Sequence, residues 1–134
     1  MMEENKKENI KEELDAAEKT FLEAELLFKN DFLKGAVSRL YYSLLYRIRA
    51  LLLTKGLEPK SHEGALRLFS LHFVKGGIFE TKASHLFSKL MKYREEADYN
   101  PAYVFTLEDF TALRAEADEL SGQIRSYLKE RGYL

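Results

Sequence analysis

The residues with the richest chemistry lie close together between positions 91 and 103, in the stretch MKYREEADYNPAY. It contains Arg94, Asp98 and Tyr99. A guanidinium can hold a phosphate through two parallel hydrogen bonds, and a tyrosine can donate a hydrogen bond or stack on a base. The alternative is a simple ion pair between Arg94 and Asp98, one helical turn apart, which contributes only about 0.2–0.5 kcal/mol. Both interpretations remain open from the residues alone.

A second candidate is His62, which follows Lys60 at the start of a predicted helix. Histidine titrates near neutral pH, so His62 could act as an acid or base, and with Lys60 and Arg94 it could frame an anion site. The alternative is a capping or surface histidine. Because the three histidines show no metal-ligand spacing, we predict no metal site and no cofactor.

A third candidate is the set Tyr42, Tyr46 and Arg49, spaced four and three positions apart. This spacing puts the three side chains on one helix face. A nucleotide could stack on the tyrosines while the arginine binds its phosphate. The alternative is packing in the core or in a dimer interface, where tyrosine and arginine are both common.

The elements that must position these residues are helices. Apolar residues recur at three- and four-residue steps almost throughout. We predict an all-α fold: an antiparallel up-down bundle of four long helices and one short helix, in one domain covering 1–134, with about the first five residues frayed. The predicted helices are about 5–29, a central helix ending at Gly56, a short helix from Ser61 to Gly76-Gly77, 81–97, and Thr106 to Gly132.

Three local predictions refine this picture. Asn30 and Asp31 should form a turn and cap the second helix. Thr106 and Asp109 should form a capping box at the start of the last helix. Gly122, inside that helix, costs up to about 1 kcal/mol relative to alanine, and we expect a close helix crossing there.

Composition narrows the function classes. The chain of 134 residues carries 21 basic and 22 acidic residues, for a formal net charge of -1, so any nucleic-acid contact must be local. It contains no cysteine, which excludes disulfides and thiolate metal sites. No apolar run approaches the roughly 20 residues of a membrane span, and no apolar signal segment is visible. We therefore expect a cytoplasmic protein without a membrane partner.

Three separated motifs resemble the HEPN domain family, in its small single-domain prokaryotic branch. They are Tyr41-Tyr42, the turn GLEPKSH from Gly56 to His62, and the end REEADY from Arg94 to Tyr99. The resemblance implies a helical bundle that forms homodimers. Many members of the family are toxins of toxin–antitoxin pairs and are often encoded beside a minimal nucleotidyltransferase. The resemblance therefore implies such a role and such a partner. Many family members are metal-independent ribonucleases.

The ribonuclease signature of that family is an arginine followed four to six residues later by a histidine, near a helix end at the dimer interface. Arg94 matches the arginine, but positions 99 to 101 are Tyr, Asn and Pro. The leading hypothesis is a protein that binds or cleaves RNA or a nucleotide, with Arg94 stabilising charge and His62 or Tyr99 handling protons. The alternative hypotheses are a non-catalytic adaptor for a nucleotidyltransferase and a purely structural dimerisation module.

Overall fold

The fold is built from helices that are joined by short loops. The computed structural model describes residues 3–134. The helices are α1 (Glu3–Lys29), α2 (Leu33–Leu53), α3 (His62–Phe69), which continues as a π-helical turn (Ser70–Val74), α4 (Thr81–Tyr99) and α5 (Leu107–Glu130). No β-strand occurs between residues 3 and 134. The predicted all-α fold of four long helices and one short helix is confirmed.

The second helix is the centre of the bundle. Thirteen of its 21 residues are buried, because apolar side chains cover a wide arc of its circumference. It packs against α1, α3, α4 and α5, so each neighbour removes a different part of that surface from water. Each leucine or isoleucine buried in this way contributes about 1.5–3 kcal/mol. None of the helices within residues 3–134 combines the length and apolar content needed to cross a membrane.

Side-chain contacts give the relative direction of the helices. Near one end of the bundle, Glu13 of α1 forms an ion pair with Arg49 of α2 at 3.2 Å. Near the other end, Leu27 of α1 lies against Gly35 of α2. A rising number in α1 therefore matches a falling number in α2, which makes the two helices antiparallel.

The same test applies to the second half of the chain. Lys34 Nζ at the start of α2 donates to the carbonyl of Asn100 after α4, at 2.9 Å. Further along, Tyr41 of α2 stacks on Phe87 of α4. Helices α4 and α5 are bridged in reverse order by the ion pairs Lys82–Glu119 and Lys89–Glu116. The order is up-down-up-down, as predicted.

Two predicted helix starts are confirmed by their caps. The Oγ of Ser61 accepts a hydrogen bond from the backbone N–H of Gly64 at 2.9 Å and begins α3. Thr106 and Asp109 form a reciprocal capping box at the start of α5, with bonds of 3.0 and 3.2 Å. Each such cap typically contributes about 1 kcal/mol to helix stability.

The predicted cap of α2 is wrong. Asn30 and Asp31 form the turn, but the N-cap residue is Phe32, and no side chain bonds to the helix start. Asp31 has φ +69°, a left-handed conformation that reverses the chain, whereas a capping side chain needs extended backbone. At the other boundaries, α4 continues to Tyr99 and α1 already begins at Glu3. The predicted fraying of residues 1 and 2 lies outside the described residues.

The expectation of a close helix crossing at Gly122 is also wrong. A Cβ atom added at Gly122 would meet no atom within 4 Å. The close crossing is at Gly35 instead, where an added Cβ would lie 3.1 Å from Cδ1 of Leu27 on α1. The sequence predicts that Gly122 lies inside the last helix, which the structure confirms. It does not indicate whether a neighbouring helix packs closely against the glycine.

The substitution Gly122→Ala is expected to stabilise the protein by up to about 1 kcal/mol, because alanine has the higher helix propensity and nothing obstructs its methyl group. Urea unfolding monitored by circular dichroism measures the change. The matched control is Gly56→Ala, which places a Cβ at φ +70° and should destabilise. A loss of stability in Gly122→Ala would show that the glycine is needed for the fold itself.

Candidate functional site

Arg94 is the residue around which the candidate site is built. It lies in the penultimate turn of α4, on the face that packs against α2, and only 7% of its surface is exposed. Its guanidinium carbon lies 5.3 Å from the centre of the Tyr41 ring and 6.0 Å from that of Tyr42. Both distances are within the range of cation–π attraction. The two adjacent tyrosines of α2 thus form an aromatic surface beneath the charge.

The charge of Arg94 is balanced by two carboxylates of its own helix, but its guanidinium forms no hydrogen bond with the described residues. Nη1 lies 3.6 Å from Oδ2 of Asp98, and Nη2 lies 4.0 Å from Oε1 of Glu95. Both separations exceed hydrogen-bond length. The Nε atom is buried and has no hydrogen-bond partner in residues 3–134. Most buried side-chain polar groups have a partner, so this guanidinium is electrostatically paired yet unsatisfied as a donor.

Tyr41 connects Arg94 to the second half of the site. Its side chain is fully buried, and its hydroxyl lies 2.5 Å from Nδ1 of His62. Burial raises the pKa of the Tyr41 phenol above its usual range, although the nearby charge of Arg94 opposes the shift. The phenol therefore stays protonated at neutral pH. Its short hydrogen bond fixes the orientation of the imidazole ring.

His62 reaches this position because the turn before α3 folds back onto α2. The cap at Ser61 fixes the first turn of α3, of which His62 is the first residue. The imidazole centre lies 5.5 Å from the ring of Tyr41 and 6.0 Å from that of Tyr42. His62 and Arg94, which are far apart in the chain, thus contact the same two aromatic rings.

The aromatic surface continues along α2 in both directions. The guanidinium of Arg39 lies 5.1 Å from the ring centre of Tyr42, and the ring centre of Tyr46, one turn later, lies 6.5 Å from that of Tyr42. Tyr42 and Tyr46 are each partly exposed, as a base-stacking surface requires. Of the predicted set Tyr42, Tyr46 and Arg49, the two tyrosines lie on this aromatic surface and Arg49 does not.

Arg49 does not join the site because another helix binds it. It forms an ion pair with Glu13 of α1, although it lies on the predicted face of α2. Burial raises the pKa of the Glu13 carboxyl, and the charge of Arg49 opposes that shift. Arg49 therefore compensates a partly buried carboxylate, about two helical turns or 10 Å from Tyr42. Arg49 is itself exposed, so within residues 3–134 its contact is an ion pair between two helices rather than packing in the core.

Two further predicted residues lie at the edge of the site or outside it. Tyr99 is 77% exposed and contacts no aromatic ring within residues 3–134. A residue five positions after Arg94 points about 140° away from it around a helix, which explains the separation. Lys60 is exposed in the turn before α3. The carboxylate of Asp98 forms an ion pair with Arg94, so an anion that approached Arg94 would have to displace it.

The hydrogen bond between Tyr41 and His62 is the part of the site that the sequence does not predict. Tyr41 follows the apolar spacing of α2, and its ring is buried in the core. The available signal was the tyrosine doublet, because a buried tyrosine needs a partner for its hydroxyl. Arg39, one turn before Tyr42, is predicted from the sequence as positive charge near the tyrosines, and it does lie against the Tyr42 ring. Between residues 3 and 134, no three His, Asp or Glu side chains are placed to hold a metal ion.

The raised pKa of Tyr41 leads to a pH-dependent stability. Above about pH 10 the phenol ionises in the unfolded chain but not in the folded one, so the folded state binds more protons. We expect the free energy of unfolding to fall there by up to about 1.4 kcal/mol per pH unit from this group, and Tyr41→Phe should remove that part of the slope. Urea unfolding at several alkaline pH values measures it.

The control for this prediction is Tyr99→Phe, which removes a largely exposed phenol and should retain the parent's pH dependence. At neutral pH, Tyr41→Phe should also cost about 1 kcal/mol, because the imidazole of His62 loses its hydrogen bond. Identical alkaline slopes in the parent and in Tyr41→Phe would contradict the assignment of this shift to Tyr41.

Comparison with known proteins agrees with the motifs. The family model of the HEPN domain matches residues 10–126. Similar proteins include "Putative toxin MJ0605" of Methanocaldococcus jannaschii, 35% identical over 92% of each chain. "Putative toxin MJ0142" of the same organism is 31% identical over all of this chain and 91% of its own. A "UPF0332 protein" of Thermotoga maritima is 38% identical over 65% of this chain and 66% of its own. On this evidence the chain belongs to the HEPN domain family.

Proposed function

We propose that this protein is a toxin-like HEPN protein that binds RNA through a phosphate group at Arg94. The observation that carries the proposal is the buried guanidinium without a hydrogen bond, on the same aromatic surface as His62. Arginine offers five N–H donors in a planar fork that matches a phosphate. The similarity to two proteins named as toxins supports the toxin-like role.

A bound phosphate would take the place of Asp98. That carboxylate is 3.6 Å from the guanidinium and its side chain is about one-third exposed, so it can move away without disturbing the core. Tyr42, which is partly exposed, would stack on the adjacent base, and Arg39 would add positive charge beside it. The site then combines a phosphate fork with a sequence-tolerant stacking surface.

Cleavage of the bound RNA would need no metal. The ribose 2′-hydroxyl would attack the adjacent phosphorus, forming a 2′,3′-cyclic phosphate and releasing the 5′-oxygen of the next nucleotide. His62 would accept or donate the proton through Nε2, the ring nitrogen that is not bonded to Tyr41. Arg94 would stabilise the charge that develops on the phosphate oxygens. We further propose that a homodimer places two such sites at its interface.

RNA binding is expected to respond in opposite directions to two substitutions. Arg94→Lys keeps the charge but loses the fork, and should weaken binding about tenfold, or about 1.4 kcal/mol. Asp98→Asn removes the competing carboxylate and should tighten binding severalfold. Fluorescence anisotropy of a labelled single-stranded RNA, with a chelator and at one ionic strength, measures both changes.

The matched control is Arg125→Lys, which alters an exposed arginine that forms an ion pair with Glu18 on a different surface. It should leave RNA affinity unchanged. Thermal unfolding of each variant separates loss of binding from loss of folding. If Arg94→Lys and Arg125→Lys weaken binding equally, the contact is nonspecific and the proposed site is wrong.

Cleavage and the adaptor alternative are distinguished by turnover. The adaptor interpretation is favoured by one observation, namely that Arg94 already faces two carboxylates of its own helix. The cleavage hypothesis predicts metal-independent RNA breakdown that falls at least tenfold in His62→Gln, with the binding affinity retained. An adaptor would cause no breakdown and would co-elute with a minimal nucleotidyltransferase of the same genome. Breakdown that persists in His62→Gln would contradict the assigned role of the histidine.

A further inference from the structure

A second arginine-containing site lies on another surface of the bundle, along the seam between α1 and α5. These two helices both flank α2, yet within residues 3–134 no Cα atom of one comes within 8 Å of a Cα atom of the other. Long side chains bridge the gap instead. Nε of Arg114 donates to Glu25 at 2.6 Å, and Nη1 of Arg125 donates to Glu18 at 3.3 Å. At one end of the seam Phe28 of α1 stacks on Phe110 of α5, and further along, towards Glu18 and Arg125, a groove lies open with α2 as its floor.

A cavity of ≈ 300 Å³ lies in this groove, at the lower limit of the volume of small-molecule sites. Glu18 lines it from α1 and Arg47 from α2. The α5 side of the cavity is lined by Asp118, Ser121, Gly122 and Arg125. None of these residues belongs to the Arg94 site.

Arg47 is the unusual member of this lining. Its side chain is mostly buried, and burial lowers the pKa of its guanidinium from the usual range, while Glu18 and Asp118 oppose that shift. Its one side-chain hydrogen bond is a long contact of 3.4 Å to the carbonyl of Ser43 in its own helix. The ring of Phe21 lies 5.9 Å away. No carboxylate of residues 3–134 lies within ion-pair distance of it, and its guanidinium forms no further hydrogen bond with the described residues.

Two of the four charged groups that line the cavity, Arg47 and the exposed Asp118, form no ion pair within residues 3–134. Glu18 and Arg125 satisfy each other. Arg47 and Asp118 interact across the cavity, but among the described residues neither has an ion-pair partner within 4.0 Å. A simple anion would satisfy Arg47 but would be repelled by Asp118. A ligand that carries both an anionic group and an amine satisfies the two together.

Gly122 keeps the wall of this cavity open. Its backbone is helical and needs no glycine, and a Cβ atom there would meet nothing within 4 Å. Glycine in a helix interior costs about 1 kcal/mol relative to alanine, and neither backbone strain nor close packing offsets that cost here. Gly122 is exposed and forms part of the lining of the cavity, so a larger side chain there would occupy space at its wall.

We propose that this cavity is a binding site for a small zwitterion, whose phosphate or carboxylate binds Arg47 and whose ammonium group binds Asp118. The hydroxyl of Ser121 donates to the carbonyl of Ala117 at 2.6 Å, so its oxygen remains available to accept a hydrogen bond from the amine. The site is separate from the one proposed for RNA, and each can be tested without the other.

The class of ligand is tested with a matched set of three probes. Phosphoethanolamine carries both charges, inorganic phosphate only the negative one, and ethanolamine only the positive one. Isothermal titration of the full chain should show that phosphoethanolamine binds at least about tenfold more tightly than either half. Phosphate binding as tightly as phosphoethanolamine would overturn the assignment to zwitterions, and no measurable binding of phosphoethanolamine would overturn the site.

The location is tested with variants that act on different parts of the cavity. Gly122→Leu fills the cavity without removing a charge, and Arg47→Met removes the guanidinium while keeping a long side chain. Each should weaken phosphoethanolamine binding at least about tenfold, and Asp118→Asn should reduce its preference over phosphate. The matched control is Gln123→Leu, which adds an apolar side chain at the next, exposed position outside this cavity.

Circular dichroism melts show whether each variant is folded, and Gly122→Leu retains all charged residues if Arg47→Met fails to fold. Equal affinity for phosphoethanolamine in the parent, Gly122→Leu and Arg47→Met would overturn the proposal, because the ligand would then bind elsewhere. Equal weakening by Gly122→Leu and Gln123→Leu would also overturn it, because the loss would then not depend on the cavity.

Discussion

A guanidinium that leaves water must recover the interactions it had there, and at Arg94 this requirement is only partly met. The charge is recovered through Asp98, Glu95 and the faces of two tyrosines. The directional hydrogen bonds are not, since both carboxylates lie beyond hydrogen-bond length and Nε has no partner among residues 3–134. A buried donor without a partner typically costs about 1–3 kcal/mol. The two carboxylates and the two tyrosine rings hold the guanidinium of Arg94 in place. Its N–H groups are left without hydrogen bonds to the described residues and can bind a ligand.

The aromatic surface beneath Arg94 depends on the position of α2 in the bundle. Because α2 is surrounded, Tyr41 is buried far enough that its hydroxyl must find a partner, and the partner is His62. Tyr42, one position later, points towards the edge of the helix and stays partly exposed. Adjacent residues on a helix differ by about 100° in direction, so one tyrosine supports the site and the other can meet a ligand. The two adjacent tyrosines therefore differ in their contacts: Tyr41 bonds to His62, and Tyr42 has a partly exposed ring.

The family signature expects a histidine shortly after the arginine, and this chain has an exposed tyrosine there. The structure brings a histidine to the site from α3 instead. Proton transfer depends on the distance and orientation of the groups rather than on their separation in the chain. The hydrogen bond from Tyr41 fixes the orientation of the His62 ring, whereas no hydrogen bond within residues 3–134 fixes that of the exposed Tyr99. The hypothesis of RNA cleavage therefore depends on His62 more than on the motif itself.

The sequence by itself determined the helices and most of their ends. Apolar spacing, the cap at Ser61, the capping box at Thr106 and Asp109, and the Asn-Pro break after α4 are local signals, and local signals decide local structure. It also determined the family, because three separated motifs occur in order. It pointed to Arg94, Asp98, His62 and Tyr42 as candidate site residues.

Only the tertiary structure decided how those side chains are used. Arg49 has the spacing of a site residue, but its partner is Glu13 on a neighbouring helix, which no pattern within α2 can indicate. Gly122 and Gly35 look alike in sequence, and only the neighbouring helices show that one borders open space and the other a close crossing. Periodicity specifies which face of a helix is buried. The identity of the atoms across that face depends on how the helices pack, and contacts between residues distant in the chain determine this.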